Sequence, residues 1–173
     1  SDIVNQTQED IYEELIKSVI HPAVTRIEPE MDMLECSDIF PQNKFKNFSF
    51  VQLLLKTVES LTNLKTLNLR HTYEKFDIID IQFPPSLEEF SGLCNNESLA
   101  KISNSCKFLK FLNLCGLRDI TNVSIATILK MEHLEKLNIA HTSITSRGNT
   151  ILLNGLIQKG EALTLKCLVF SKY

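Results

Sequence analysis

The sequence predicts an α/β fold: a solenoid with a curved parallel β-sheet on its concave face, helices on its convex face and a helix capping its N-terminal end. Three observations carry this reading. A nine-residue phrase occurs twice, as Leu-Lys-Thr-Leu-Asn-Leu-Arg-His-Thr at 64–72 and Leu-Glu-Lys-Leu-Asn-Ile-Ala-His-Thr at 134–142. The copies start 70 residues apart, about three units of 23, and degenerate copies stand near the intermediate positions. Between the copies, apolar residues fall at helical spacing. Each short strand points its leucines inward, and a single unit cannot bury that row without a neighbour stacked on it.

Taken in chain order, residues 1–48 stand apart from the array. Thr7 with Asp10 forms a capping box, Ile11, Tyr12, Leu15, Ile16 and Val19 make one apolar helix face, and His21-Pro22 ends it. This helix is expected to cover the first unit. The stretch 23–48 is low in pattern, with Met31, Met33 and Cys36 as the candidates for a degenerate first strand. Repeats then fill 49–173, about five of them, the last truncated. Ser49 and Gln52 cap a helix that buries Val51, Leu54, Leu55 and Val58. Strands follow at Leu64/Leu67/Leu69, Leu87/Phe90, Leu109/Leu112/Leu114, Leu134/Leu137/Ile139 and Leu165/Leu168/Phe170. The second of these carries Gly92 in the third apolar place and Asn95 in the asparagine slot. Leu99 with Ile102, then Ile125, Ile128 and Leu129, then Ile151, Leu152 and Leu156 predict the intervening helices. Starts at 64, 87, 109, 134 and 165 leave spacings of 23, 22, 25 and 31, the surplus going into convex-side loops.

The L-x-x-L-x-L-x-x-N pattern of these units resembles the leucine-rich-repeat family over roughly residues 49–173. Residues 102–121 are similar to the cysteine-containing repeats of F-box receptors, with Cys106, Leu109, Leu112, Leu114, Ile120 and Thr121 in place. Leu117 and Asn122 depart from that pattern. His133 to Thr145 resembles the repeats of Zyg eleven-related receptors of cullin-RING ligases. Both resemblances imply an intracellular module that holds a substrate protein on its repeats, while a separate box docks to the ligase. No F-box is recognisable in residues 1–48, so an adaptor segment would lie outside this chain. The alternatives are a scaffold or assembly factor using the same face, and an enzyme of unrecognised chemistry.

Composition narrows the partners. With 173 residues, 43% of them hydrophobic, the chain can build a sizeable core. A net charge of −3 offers no basic face for nucleic acid. No apolar run approaches the roughly 18 residues of a membrane span, and no signal peptide is visible at Ser1. The five cysteines are scattered with no Cys-x-x-Cys pair, which reads as core thiols in a cytoplasmic or nuclear protein. Four Asn-x-Ser/Thr triplets, at Asn5, Asn47, Asn96 and Asn122, weigh little against this.

Neither a metal nor a cofactor is expected. His71 and His141 share a slot three units apart, on the order of 14 Å, too far for one ion. No phosphate loop, zinc motif or catalytic set is present, so the chain does not read as an enzyme. The concave face is the candidate site. Alternation along the strands turns outward Thr66, Asn68, Arg70 and His71; Glu89, Ser91, Leu93 and Cys94; Phe111, Asn113 and Cys115; Lys136, Asn138 and His141; and Val169. Asn68, Ser91, Asn113 and Asn138 form a polar ladder for a protein partner, and Leu93, Phe111 and Cys115 an apolar spot. Phe111 has a second reading, packing against the next strand. Mixed charges (Arg70 and Lys136 against Glu89) give no steering patch. The open end at Phe170 is the expected surface for self-association.

Overall fold

The computed structural model describes residues 23–28, 58–70 and 82–171. Six short strands, β1 (Arg26–Ile27), β2 (Thr66–Asn68), β3 (Glu89–Ser91), β4 (Phe111–Asn113), β5 (Lys136–Asn138) and β6 (Cys167–Val169), form one parallel sheet whose spatial order follows chain order. Parallel neighbours cannot be joined by a tight turn, so each connection must cross back over one face. Helices α1 (Asn96–Ser105), α2 (Ser124–Leu129) and α3 (Ser146–Gln158) make three of these crossings and pack side by side, α1 on α2 and α2 on α3.

The register between strands is the same alignment that the sequence repeat gives. Thr66, Glu89, Phe111, Lys136 and Cys167 stand opposite one another, as do Leu67, Phe90, Leu112, Leu137 and Leu168. One backbone device recurs at every step. The carbonyl of Thr25 accepts the N–H groups of both Lys65 and Thr66, at 2.8 and 3.0 Å. Lys65 does the same for Glu88 and Glu89, Glu88 for Lys110 and Phe111, Lys110 for Glu135 and Lys136, and Glu135 for Lys166 and Cys167, all between 2.7 and 3.0 Å.

The core lies between the sheet and the helix row. Its strand side consists of Leu64, Leu67 and Leu69 and their counterparts, down to Leu134, Leu137 and Ile139. Leu99 and Ile102 of α1, Ile125 and Ile128 of α2, and Leu152 and Leu156 of α3 close it from the other side. Ile151, expected on that inner face, is instead exposed. Gly148, Leu152 and Leu156 repeat every four residues and form the buried line, and Ile151 falls beside it.

Polar side chains hold helix starts and neighbouring units together. Asn95 accepts from Ser98 N–H at 2.8 Å while Ser98 Oγ accepts from Asn95 N–H at 2.9 Å, a complete capping box on α1. Thr145 caps α3 by accepting from Gly148 N–H at 3.3 Å. Asn96 Nδ2 donates to Thr121 Oγ1 at 2.9 Å and its Oδ1 accepts from Thr121 N–H at 3.0 Å. One unit along, Asn122 and Thr145 make the same pair at the same distances. Two of the Asn-x-Ser asparagines are thus links between units.

The sheet begins earlier than the sequence suggests. β1 lies inside the stretch set apart as 1–48, with Val24 and Ile27 against the core. A two-residue strand is too short to show a period of two, which is why nothing marked it. The expected N-terminal helix, the strand at Met31, Met33 and Cys36, and most of the helix at 49–58 lie outside the described residues; Val58 of that helix is in the core. Gly92 explains its own irregular slot. Its φ is +136°, and a Cβ there would sit 2.6 Å from Leu69 Cβ.

If the stacked rows carry the stability, Leu112→Ala in the middle should cost about 3–5 kcal/mol and Leu168→Ala at the partly exposed end only about 1–2. Gly92→Ala should cost roughly 2–4 kcal/mol from strain and overpacking together. Urea unfolding of the three variants checks the ranking; equal losses at Leu112 and Leu168 would contradict it.

Candidate protein-binding face

The third and fifth positions of the units form two adjacent rows on the sheet face opposite the helices. The third-position row runs Thr66, Glu89, Phe111, Lys136, Cys167, and the fifth Asn68, Ser91, Asn113, Asn138, Val169. Two shallow depressions share Phe111 as a wall. One, about 150 Å³, is bounded also by Thr66, Asn68, Arg70, Glu89, Ser91 and Asn113. The other, about 290 Å³, lies among Glu89, Lys110, Phe111, Glu135 and Lys136. Phe111 is half-buried, neither packed away nor fully exposed.

The asparagine ladder is less free than alternation along a strand implies. Asn68, Asn113 and Asn138 each accept, through Oδ1, the N–H two residues on, from Arg70, Cys115 and Ala140, at 3.2, 3.1 and 3.1 Å. These are Asx turns that end the strands. The Nδ2 donors of the three amides meet no acceptor among the described residues. Ser91, which has no such turn to make, is buried, and its Oγ has no hydrogen-bond partner among the described residues.

Other expected residues sort differently. Thr66 Oγ1 donates to Glu89 Oε2 at 3.1 Å, and Arg26 Nη2 lies 3.7 Å from the same oxygen. Leu93 and Cys115 are half-buried, as Phe111 is, but border neither of these two depressions. Cys94 belongs to the core, not the surface. In the later units positive φ falls at the eighth position, Gly116 and His141, whereas here it comes two residues earlier at Gly92 and turns the chain inward sooner. His141 serves that turn, with φ +58°, and its N–H donates to Ser171 Oγ at 2.7 Å. Val169 ends the ladder as an exposed apolar residue. His71 lies outside the described residues.

A further row was legible in the sequence but only once the register is known. The second position reads Lys65, Glu88, Lys110, Glu135, Lys166, strictly alternating in sign. Glu88 sits between Lys65 at 2.9 Å and Lys110 at 2.7 Å, and Glu135 pairs with Lys166 at 2.8 Å. Hydrogen bonds from Lys110 first, then Lys65, hold the Glu88 carboxyl below its ordinary pKa, and Lys166 does the same for Glu135. Glu88 in turn raises Lys110.

Burial pushes the thiols of Cys94 and Cys106 up to about 12, which keeps both protonated at neutral pH. His133 stacks on Phe108 with ring centroids 5.5 Å apart. Among the described residues no three His, Cys, Asp or Glu side chains gather as a metal site, and no helix is long and apolar enough to cross a membrane. No family model matches the chain, and no curated protein is similar to it.

The charge row makes a pH prediction. A carboxylate with a depressed folded-state pKa contributes stability above its ordinary value of 4.5, and that contribution fades as pH falls through the lower folded value. Stability should therefore drop below about pH 4.5. Glu88→Gln should flatten that part of the curve while changing little in its shape above it. Denaturation profiles of the two proteins between pH 3 and 7 check this, and parallel curves would refute the assignment.

Proposed function

We propose that this chain is a protein-recognition module built on leucine-rich repeats, and that the sheet face opposite the helices holds a partner protein. The supporting observation is Phe111. A half-buried aromatic ring stands between two depressions, flanked by amide donors that meet no acceptor among the described residues and by Arg70 and Lys136, and interfaces are organised as an apolar anchor within a polar surround. Consecutive strand order, one leucine row per unit and the two-donor carbonyl at each step are what stacked repeats require. We also propose that the module works in the cytoplasm or nucleus, without cofactor, metal or catalytic chemistry. The use of Cys94 and Cys106 as core residues is in keeping with a reducing compartment.

Within this reading the role is substrate recognition for a cullin-RING ubiquitin ligase. It rests on the resemblance of residues 102–121 and 133–145 to receptors of that class, with the adaptor contact supplied outside this chain. A scaffold or assembly factor would use the same face, and the difference lies in what accompanies it. The end of the sheet at β6 offers a second surface, since Ile157, Leu163, Val169 and Phe170 are all exposed there. Self-association through that end is a separate proposal, read out by light scattering after size exclusion.

Affinity capture from cells with Phe111→Glu and Lys136→Glu baits tests the main proposal. Both positions lie outside the core and outside the Asx turns, so the fold should survive, as circular dichroism would verify. Loss of a wild-type partner from both variants is expected. Retention of every partner would overturn the assignment of the face. A cullin and a RING protein captured with the full-length protein would support the ligase role, and a fixed complex lacking them would favour the scaffold.

A further inference from the structure

The depression floored by Ser91 is distinctive in its chemistry. Ser91 is only 5% exposed, and its Oγ is the one buried side-chain oxygen or nitrogen among the described residues without a hydrogen-bond partner. A hydroxyl withdrawn from water and left unpaired is destabilising, and native structures seldom tolerate it without a reason. On either side in register stand Asn68 and Asn113, whose oxygens are engaged in turns and whose Nδ2 groups donate to no described residue. Arg70, at the rim, is exposed and its guanidinium likewise makes no ion pair with a described residue.

The donors here that meet no acceptor among the described residues are an arginine, two amide N–H₂ groups and a hydroxyl. Two carboxylates border the same space, each with one oxygen engaged. Glu28 is bound by Arg26 at 2.8 Å, and Glu89 accepts from Thr66 Oγ1 with Arg26 at 3.7 Å. Arg26 is the cation set against both, so that with Arg70 the four charges balance, and Arg70 is the cation left without an ion pair among the described residues. Phe111 supplies an apolar wall against which methylene groups can lie.

We propose that this depression receives a side-chain carboxylate of the partner protein, a glutamate or aspartate seated against Phe111, with its oxygens accepting from Arg70, Asn68 Nδ2, Asn113 Nδ2 and the Ser91 hydroxyl. A charged acceptor is favoured over a neutral amide because hydrogen bonds to an ionised group are the stronger ones and the rim donor is itself ionised. The volume of about 150 Å³ suits one side chain and not a folded element. The partner's recognised segment therefore carries an acidic residue at its centre of contact. This deepens the proposed function and rests on the same face receiving a protein.

The test is an NMR titration of the isotopically labelled chain with N-acetyl-glutamate N-methylamide. The side-chain amide signals of Asn68 and Asn113 and the backbone signal of Ser91 should shift together and saturate, with a dissociation constant in the millimolar range. The matching glutamine derivative should bind about tenfold more weakly. Arg70→Gln should weaken glutamate binding by a similar factor, and Ser91→Ala by about threefold, both without altering the spectrum of the rest of the sheet. No saturable shift, equal binding of glutamine, or binding of N-acetyl-phosphoserine N-methylamide in place of glutamate would each overturn the proposal. Such a failure, with partner capture still dependent on Phe111, would remove the carboxylate and leave the binding face standing.

Discussion

The recurring carbonyl that accepts two N–H groups is the contact on which the rest of the structure depends. It occurs at the same position of every unit, with nearly constant distances, from Thr25 to Glu135. Because it fixes where each new unit enters the sheet, it aligns the leucine rows above and below it. Strands of two or three residues would otherwise carry little register information, since so few side chains alternate across them. Their register is strengthened by the charges on the same residues. Lys65, Glu88, Lys110 and Glu135 alternate in sign, so each stands beside an opposite charge in the observed register.

This arrangement gives the two faces of the sheet different surroundings. One face is committed to the core, filled by leucine, isoleucine and Phe90. The other has only side chains to offer, and several of them are held by local structure. Asn68, Asn113 and Asn138 each use their oxygen to end a strand, which orients the amide and limits its motion. An amide pre-oriented in this way loses less conformational freedom when a partner arrives. Ser91 occupies the same row without a turn to stabilise, and the row therefore has one gap in its internal hydrogen bonding.

Much of the fold was legible because its information is periodic. Leu64, Leu87, Leu109 and Leu134 mark the units, and every strand predicted from them between 64 and 170 is present in the structure. The α1 and α2 helices follow from Leu99 with Ile102 and from Ile125 with Ile128. Less could be read where one residue redirects the chain. Cys94 was counted outward because alternation was carried past Gly92, whose positive φ ends it. β1 was missed because two residues show no period. Of the candidate residues, Phe111, Arg70, Asn68 and Asn113 border one depression, which their alternation along the strands suggested. That each asparagine oxygen is used by its own backbone is a property of turn geometry, which residue type alone suggests but does not establish.

The stacking account has a direct solution test in hydrogen exchange. Interior amides that share a carbonyl, those of Lys110, Phe111, Glu135 and Lys136, should exchange slowest. The amides of Lys166 and Cys167, at the edge of the sheet, should exchange faster, and the exposed turn at Gly116 faster still if its bond to the Ala140 carbonyl opens locally. Protection ranked in that order would support units held in sequence by one repeated contact. Protection at β6 equal to or above that at β4 and β5 would contradict it.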